Sequence, residues 1–301
     1  MTRSTLLPLD SYRLAQYAVH APCYICGEGN TFDSEMCRHC QAPMALAHQA
    51  NCQKVRPLML SVIGSAGAGK TVFLGMLADM LSRPNEHLQL LARGAFSISL
   101  QQSTMASLCE CEFPPKTPNE PDRWNWMHYQ AQIKGRRSPL ELIMPDMAGE
   151  AILEEINHPH SYPVIRAFLT KCVGAMLLVD AAKLDQGEQQ QDLQTMKILS
   201  YLSELHGDRR RGWTNRPLAI VFTKADQCDD SFDDPEEFAR KNGAGLWQHC
   251  HERFHRSKFF AAGVAGACIY RRNLGGRVLT PLRVEPRGVA DPFIWLVNQF
   301  K

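Results

Sequence analysis

The sequence has little that would place it in a membrane, outside the cell or on a polyanion. None of its apolar runs approaches the ~20 residues needed to cross a bilayer. The longest, Cys172–Val179, is stopped by Asp180. Residues 1–22 carry Arg3, Asp10 and Arg13 and lack the continuous apolar stretch of a secretory signal. The net charge is only +2, from 33 Lys+Arg and 31 Asp+Glu, which generates little long-range attraction for nucleic acid. No internal repeat or low-complexity tract is visible. These absences lead to the expectation of a soluble, cytoplasmic protein with no membrane contact and no general affinity for nucleic acid. What is present is core-forming material: 45% of the 301 residues are hydrophobic, which excludes a disordered chain.

The chain contains 11 cysteines, an odd number that suits reduced thiols better than a disulfide framework. Four of them form two pairs, Cys23-x2-Cys26 and Cys37-x2-Cys40, ten residues apart. Each pair can grip one ion from a tight turn, which Gly27 helps to form. Four thiolates make a closed tetrahedral zinc site, structural rather than catalytic. An iron–sulfur site or a redox pair is the alternative. So short a ribbon cannot bury enough apolar surface to hold itself, so metal binding would supply its folding energy. His39 and His48 read as surface residues. Cys52, Cys109, Cys111, Cys172, Cys228, Cys250 and Cys268 read as ordinary thiols.

From Pro57 onward, strand-length apolar runs alternate with helical patterns. Strands are expected at Leu58–Ile63, Ala175–Val179, Leu218–Phe222 and Lys258–Ala262. His128–Lys134 and Leu140–Met144 flank Gly135-Arg136-Arg137-Ser138 and read as a hairpin. Helices are expected at Thr71–Ser82, Ser161–Lys171, Glu188–His206, Pro235–Phe254 and Pro292–Phe300, with a helical connector over Gln41–Arg56. Glu112–Arg123, with four prolines, reads as a loop. The alternation predicts an α/β domain over residues 57–301, its mostly parallel sheet flanked by helices. A small four-cysteine module with its connector occupies residues 1–50.

Three short motifs fall at the ends of these strands. Gly64-Ser65-Ala66-Gly67-Ala68-Gly69-Lys70-Thr71 fits G-x-x-x-x-G-K-[ST] between a strand and a helix. Its glycines let several N–H groups converge at a helix N-terminus, where an anion is favoured. Lys70 would neutralise the β- and γ-phosphates, the Thr71 hydroxyl would hold Mg²⁺, and Val72 completes the cradle. Next, an apolar strand ends in Asp146-Met147-Ala148-Gly149. Asp146 can hold Mg²⁺ through water, opposite Thr71, and the Gly149 N–H can approach a γ-phosphate. Finally, Thr223-Lys224-Ala225-Asp226 follows the strand Leu218–Phe222. An ionised Asp226 can accept from the adjacent N1–H and N2–H₂ of guanine, a donor pair that adenine lacks. The Lys224 stem could cover the base face, with its ammonium near the phosphate loop.

In this order the motifs resemble the translation-factor-related class of P-loop GTPases, over residues 57–301. Within that class the chain resembles the bacterial double-GTPase family of conflict (antiphage-type) systems. Phe113-Pro114-Pro115-Lys116-Thr117, Asp146-Met147-Ala148-Gly149-Glu150 and Asp291-Pro292-Phe293-Ile294-Trp295-Leu296 carry that likeness. The resemblance implies a P-loop GTPase fold, bound GTP or GDP, Mg²⁺, and a switch I threonine that closes over the metal and γ-phosphate. Thr117 is the first candidate and Thr104 the second.

The chain departs from the class at four points. Thr223 stands where many relatives have Asn. Glu150 follows Asp-x-x-Gly where small GTPases have Gln, and its charge would be repelled by the γ-phosphate. Gly263-Val264 stands where a Ser-Ala pair usually backs the base. No arginine finger is identifiable among Arg123, Arg136 and Arg137. Slow hydrolysis by Lys70, Thr117, Gly149 and Glu150, accelerated by a partner or by self-association, is therefore expected. That partner would be a protein meeting the zinc ribbon or the switch loops, another GTPase being one candidate. A catalytically idle GTP-binding adaptor is the first alternative, and a zinc-ribbon nucleic-acid binder with a regulatory G domain the second. Arg209-Arg210-Arg211 reads as a solvated basic patch, and His249, His251 and His255 as surface or core histidines.

Overall fold

The computed structural model describes residues 20–53, 56–83, 87–205, 215–228, 230–273 and 276–300. The basic triplet Arg209-Arg210-Arg211 and the first 19 residues lie outside them. Strands β1 (His20–Pro22) and β2 (Gly29–Thr31) pair antiparallel and carry the paired cysteines, and helix α1 (Met44–Gln53) leads away. Seven further strands build the main sheet: β3 (Leu58–Gly64), β4 (Leu88–Ala92), β5 (Asn125–Ile133), β6 (Leu140–Asp146), β7 (Gly174–Asp180), β8 (Leu218–Thr223) and β9 (Ser257–Ala261). Their spatial order is β4-β5-β6-β3-β7-β8-β9. Every neighbouring pair from β6 to β9 is parallel, while β4–β5 and β5–β6 are antiparallel.

A parallel sheet needs cover on both faces, which is why its strands read as unbroken apolar runs. Alternate side chains divide cleanly between two cores. Met59 and Ile63 of β3, Leu177 and Val179 of β7, and Ile220 and Phe222 of β8 enter one core. Helices α4 (Gly149–Asn157), α5 (Pro163–Lys171) and α7 (Gln189–Glu204) cover that side, through residues such as Ile152, Phe168 and Leu199. Leu60, Val62, Met176, Leu178, Ala219 and Val221 point the other way. There they meet α2 (Lys70–Ser82), α3 (Ala95–Cys109) and α11 (Asp291–Asn298), through Phe73, Leu77, Leu100, Phe293 and Leu296. The remaining helices are α6 (Ala181–Asp185), α8 (Asp230–Asp233), α9 (Pro235–Asn242) and α10 (Ala244–Arg253).

The structure adds the helices α4, α6 and α8 to the sequence reading and differs from it in four further places. The single helix expected over Pro235–Phe254 is two, broken at Gly243. The expected hairpin over 128–144 is present but longer, with Asn125 opposite Asp146. Strand β4 and helix α3 occupy a stretch that carried no clear period. Most consequentially, Gly263 opens a long antiparallel hairpin, β10 (Gly263–Asn273) with β11 (Gly276–Arg287). It stands apart from the main sheet and exposes Ile269, Tyr270, Val278 and Leu282.

The four-cysteine module is not a separate bead. Ile25, Ala42, Met44, Leu46 and Ala47 belong to the same apolar cluster as Trp124, Trp126, Ile152 and Phe168. The Tyr24 hydroxyl donates to the Pro57 carbonyl at the start of β3. Packing therefore supports the ribbon alongside any metal, which modifies the expectation that metal alone holds it.

Candidate nucleotide and metal sites

Strand β3 ends at Gly64 and α2 starts at Lys70. In the turn between them, Gly67 and Gly69 take left-handed φ angles of +78° and +76°, which other residues adopt only under strain. The turn wraps the Lys70 ammonium, which donates to the carbonyls of Gly64 and Ser65, each at 3.0 Å. Lys70 is buried, and the loss of water around its charge lowers its pKa to about 8, against the pull of Asp146 and Glu150. An anion in the loop would reverse much of that penalty.

Beside the lysine, three oxygens converge from distant parts of the chain. The Thr71 hydroxyl donates to Asp146 Oδ2 at 2.9 Å, Thr117 reaches the same oxygen at 3.1 Å, and the two hydroxyls are 3.0 Å apart. Asp146 is almost fully buried, and that burial raises its pKa against the hydrogen bonds of the two threonines and the charge of Lys70. Its Oδ1 has no hydrogen-bond partner among the described residues. An unpaired, buried carboxylate oxygen beside two hydroxyls is an oxygen-only donor set, which fits Mg²⁺. Thr104, the second candidate for this position, is excluded. It is buried in α3 against α2, where a Cβ on Gly75 would lie 2.3 Å from its hydroxyl oxygen.

Gly149 begins α4 hard against the loop. A Cβ there would fall 2.6 Å from the Ser65 carbonyl carbon, 2.7 Å from the Ala66 nitrogen and 2.7 Å from Lys70 Nζ. Only glycine allows this approach. Glu150 lines the cavity beside Gly149 and reaches Lys116 Nζ at 3.6 Å and Asn119 Nδ2 at 3.5 Å. It ties the α4 end to the loop carrying Thr117.

The lysine and threonines line a cavity of about 290 Å³, together with Ala66, Gly67, Gly69 and Val72. Gly64, Ser65 and Ala68 stand behind that wall. Thr223, Lys224 and Asp226 line the same cavity. The Thr223 hydroxyl shares its one proton between the Ala68 carbonyl at 2.9 Å and the Val179 carbonyl at 3.1 Å. It thereby binds the strand end to the phosphate loop with a single short side chain. Lys224 takes a left-handed φ of +57°, and its ammonium meets Asp180 Oδ2 at 2.5 Å. The sequence reading aimed that ammonium at the phosphate loop. The buried Asp180 carboxylate claims it, because it needs a counter-charge. Asp226 is half-buried, and burial raises its pKa while its own backbone N–H and Lys224 oppose the shift. A Cβ on Gly263 would lie 2.7 Å from Asp226 Oδ1, so the start of β10 abuts the carboxylate.

The hairpin supplies wall residues that the sequence reading missed. Ala265 and Cys268 of β10 and Leu279 of β11 line the same cavity beside the expected Val264. The available signal was Asn273-Leu274-Gly275-Gly276, turn chemistry between two apolar-basic runs.

In the ribbon, the Sγ atoms of Cys23, Cys26, Cys37 and Cys40 all lie within 4.8 Å of one another. Cys23–Cys40 and Cys26–Cys37 are 3.7 and 3.5 Å apart. A tetrahedron with 2.3 Å Zn–S bonds has edges of about 3.8 Å, so the cluster fits zinc closely. The hydrogen bond shared with Cys40 lowers the pKa of the Cys23 thiol. Buried Asn30 donates to Cys37 Sγ at 3.5 Å and accepts from the Arg38 N–H at 2.9 Å, which fixes the second turn. The two turns are built alike: Gly27 N–H returns to the Cys23 carbonyl and Gln41 N–H to the Cys37 carbonyl. Both residues are left-handed, at +85° and +62°. His249 and His251 are elsewhere, on Ser200 and on Trp247 with Glu236.

The sequence model of the Double-GTPase 2 family matches residues 58–263, from β3 to the first residue of the hairpin. The chain belongs to this family. Double-GTPase membership makes it a P-loop GTPase and a GTP-binding protein by descent. No curated protein matches the chain in sequence. Similar solved structures include a nucleolar GTP-binding protein 1 of Plasmodium falciparum. It shares 12% identity over 80% of this chain and 85% of that one, with a TM-score of 0.41. The small GTPase Arl6 of Trypanosoma brucei, bound to the analogue GppNp, shares 16% identity over 80% of this chain and 96% of that one, with a TM-score of 0.42. A small COPII coat GTPase SAR1 of Encephalitozoon cuniculi, in complex with GDP, shares 14% identity over 80% and 78%, with a TM-score of 0.37. Among the described residues of this double-GTPase, no helix is long and apolar enough to cross a membrane.

Proposed function

We propose that this chain is a GTP-hydrolysing molecular switch with slow unaided turnover. The observation that carries the reading is the convergence of Thr71, Thr117 and Asp146 beside Lys70, with Asp226 lining the same cavity. Lys70 and the loop N–H groups bind the phosphates. Asp226 accepts from the guanine edge and so selects GTP over ATP. Thr223 holds the base-reading turn in register with the phosphate loop. Thr71, Thr117 and Asp146 would hold Mg²⁺, which neutralises charge on the phosphates when bound. Gly149 brings its N–H toward the γ-phosphate, so loss of that group releases both loops. Val72, Gly263 and Val264 complete the nucleotide envelope.

Glu150 accounts for the slow step. Held by Lys116 and Asn119, it is not placed to orient an attacking water, and a partner would have to complete that function. We assign the cysteine set to structural zinc, residues 1–50 to the ribbon module with its connector, and residues 57–301 to the GTPase domain. The proposed partner is a protein meeting the switch loops or ribbon, a second GTPase being one candidate, in the cytoplasm and in a bacterial conflict system. Glu150 engaged by Lys116 and Asn119 equally favours a second reading, an adaptor that signals by GTP occupancy alone. Phosphate release under multiple-turnover conditions separates the two readings. A switch releases phosphate from GTP and not from ATP, and loses that activity in Lys70→Ala. An adaptor binds GTP tightly and releases none with any partner.

A further inference from the structure

The loop that brings Thr117 to Asp146 has no regular hydrogen bonding of its own between Phe113 and Asn119. Something else must hold it. Besides Thr117 itself and the exposed contacts of Lys116 and Asn119 with Glu150, it has an anchor from the core: the indole N–H of Trp124 donates to the Pro118 carbonyl at 2.8 Å, one residue beyond Thr117. Trp124 is 2% exposed and sits just after the short 3₁₀ turn Pro121–Arg123, which doubles the chain back. Its ring stacks on Tyr162, with centroids 6.3 Å apart and planes 28° from parallel.

Tyr162 is itself fixed to α4, the helix that starts at Gly149. Glu155 of α4 is fully buried and accepts the backbone N–H of Tyr162 at 2.8 Å and of His160 at 3.2 Å. His160 is held at a left-handed φ of +79°, a conformation that these bonds help to maintain. The Tyr201 hydroxyl of α7 reaches the same carboxylate at 3.5 Å. The two loops that would sense the γ-phosphate thus share one buried support. One end of α4 carries Gly149 at the phosphate loop, and the other end carries Glu155, Tyr162 and, through ring stacking, Trp124.

We propose that Trp124 is the positioning residue of the Thr117 loop, and that the Trp124–Tyr162–Glu155 contact couples that loop to α4. This rests on the switch reading above for its effect on nucleotide, but the contact itself can be tested without any ligand. Trp124→Phe keeps a ring in the core, removes the donor and shrinks the side chain. Tyr162→Leu removes the stacked partner and leaves the donor in place.

The test has two arms. Trypsin cleavage between Lys116 and Thr117, read by mass spectrometry on the nucleotide-free proteins, should be about five- to tenfold faster in Trp124→Phe, the scale of one lost partly buried hydrogen bond. Tyr162→Leu should speed the same cut. In the second arm, Trp124→Phe should weaken GTP binding in the presence of Mg²⁺ about five- to tenfold. It should leave GDP binding without Mg²⁺ within twofold, because that state makes no demand on Thr117. Unchanged cleavage in the loop overturns the proposal. So does an equal fall in GTP and GDP affinity with a lowered melting temperature, which marks a merely structural residue. If the parent protein binds neither nucleotide while the cleavage result holds, the positioning role stands and the switch reading fails.

Discussion

Replacing Gly149 by alanine puts a methyl carbon 2.6 Å from the Ser65 carbonyl carbon and 2.7 Å from both the Ala66 nitrogen and Lys70 Nζ. The lysine tip can shift, but the other two atoms belong to the turn whose shape binds phosphate. The strain therefore falls on the approach of α4 to that turn. Overpacking of this kind costs about 1–3 kcal/mol. At about 1.4 kcal/mol per decade, that lowers the population of the closed arrangement roughly 5- to 150-fold. The fold itself should not suffer. Gly149 is not among the positive-φ glycines, and alanine is the better helix former by about 1 kcal/mol. Gly149→Ala should therefore keep its melting temperature and its GDP affinity, while GTP turnover falls by at least fivefold in a phosphate-release assay. Unchanged turnover would refute the reasoning. A parallel loss of GDP affinity would also refute it, by showing that the methyl group had deformed the loop itself.

Two further predictions concern stability. Gln41 occupies the left-handed position that Gly27 fills in the first cysteine turn, at a cost of about 1–2 kcal/mol offset in part by the backbone entropy of glycine. Gln41→Gly should stabilise the zinc-loaded protein by roughly 0.5 kcal/mol in urea unfolding, and a loss of stability would contradict the geometry. Burial lowers the pKa of His128 from the ordinary 6.5, although the adjacent Glu141 at 3.0 Å pulls the other way. The unfolded chain then takes up the proton first, so this contribution is complete above about pH 6.5 and is lost as the pH falls through that value toward the folded pKa. His128→Gln should flatten the decline in melting temperature between pH 7 and 5, and an unaltered slope would show that other groups carry it.

The parts legible in the sequence are those fixed by local chemistry. The phosphate loop was visible because Gly67, Gly69 and Lys70 each have a backbone or charge reason to stand where they do. The parallel strands were visible because burial on both faces leaves Ser61 as the one polar residue across Leu58–Ile63 and Leu218–Phe222. The two cysteine turns were visible from spacing alone. The hairpin β10–β11 was not, because Ile269, Tyr270, Val278 and Leu282 are exposed and its strands show no clean alternation. Helix α3 was hidden for a related reason: Ala95–Cys109 buries only Ser97, Leu100, Thr104 and Leu108, half of them polar. The triangle of Thr71, Thr117 and Asp146 spans 75 residues of sequence, and no local pattern joins its corners. The resemblance pointed to Thr117, and the fold brings its hydroxyl to the carboxylate. The anchoring role of Trp124 had no sequence signature, since it depends on a carbonyl of an irregular loop.

Central to the account is that Asp226 reads guanine in the cavity that Lys70 also lines. The direct measurement is the affinity for GTP against ATP, by calorimetry with Mg²⁺, in the intact protein and in Asp226→Asn. The account predicts tight GTP binding and weak ATP binding in the parent, with the preference for GTP largely lost in Asp226→Asn. A parent protein that binds ATP as well as GTP, or an Asp226→Asn variant that keeps the full guanine preference, would contradict it.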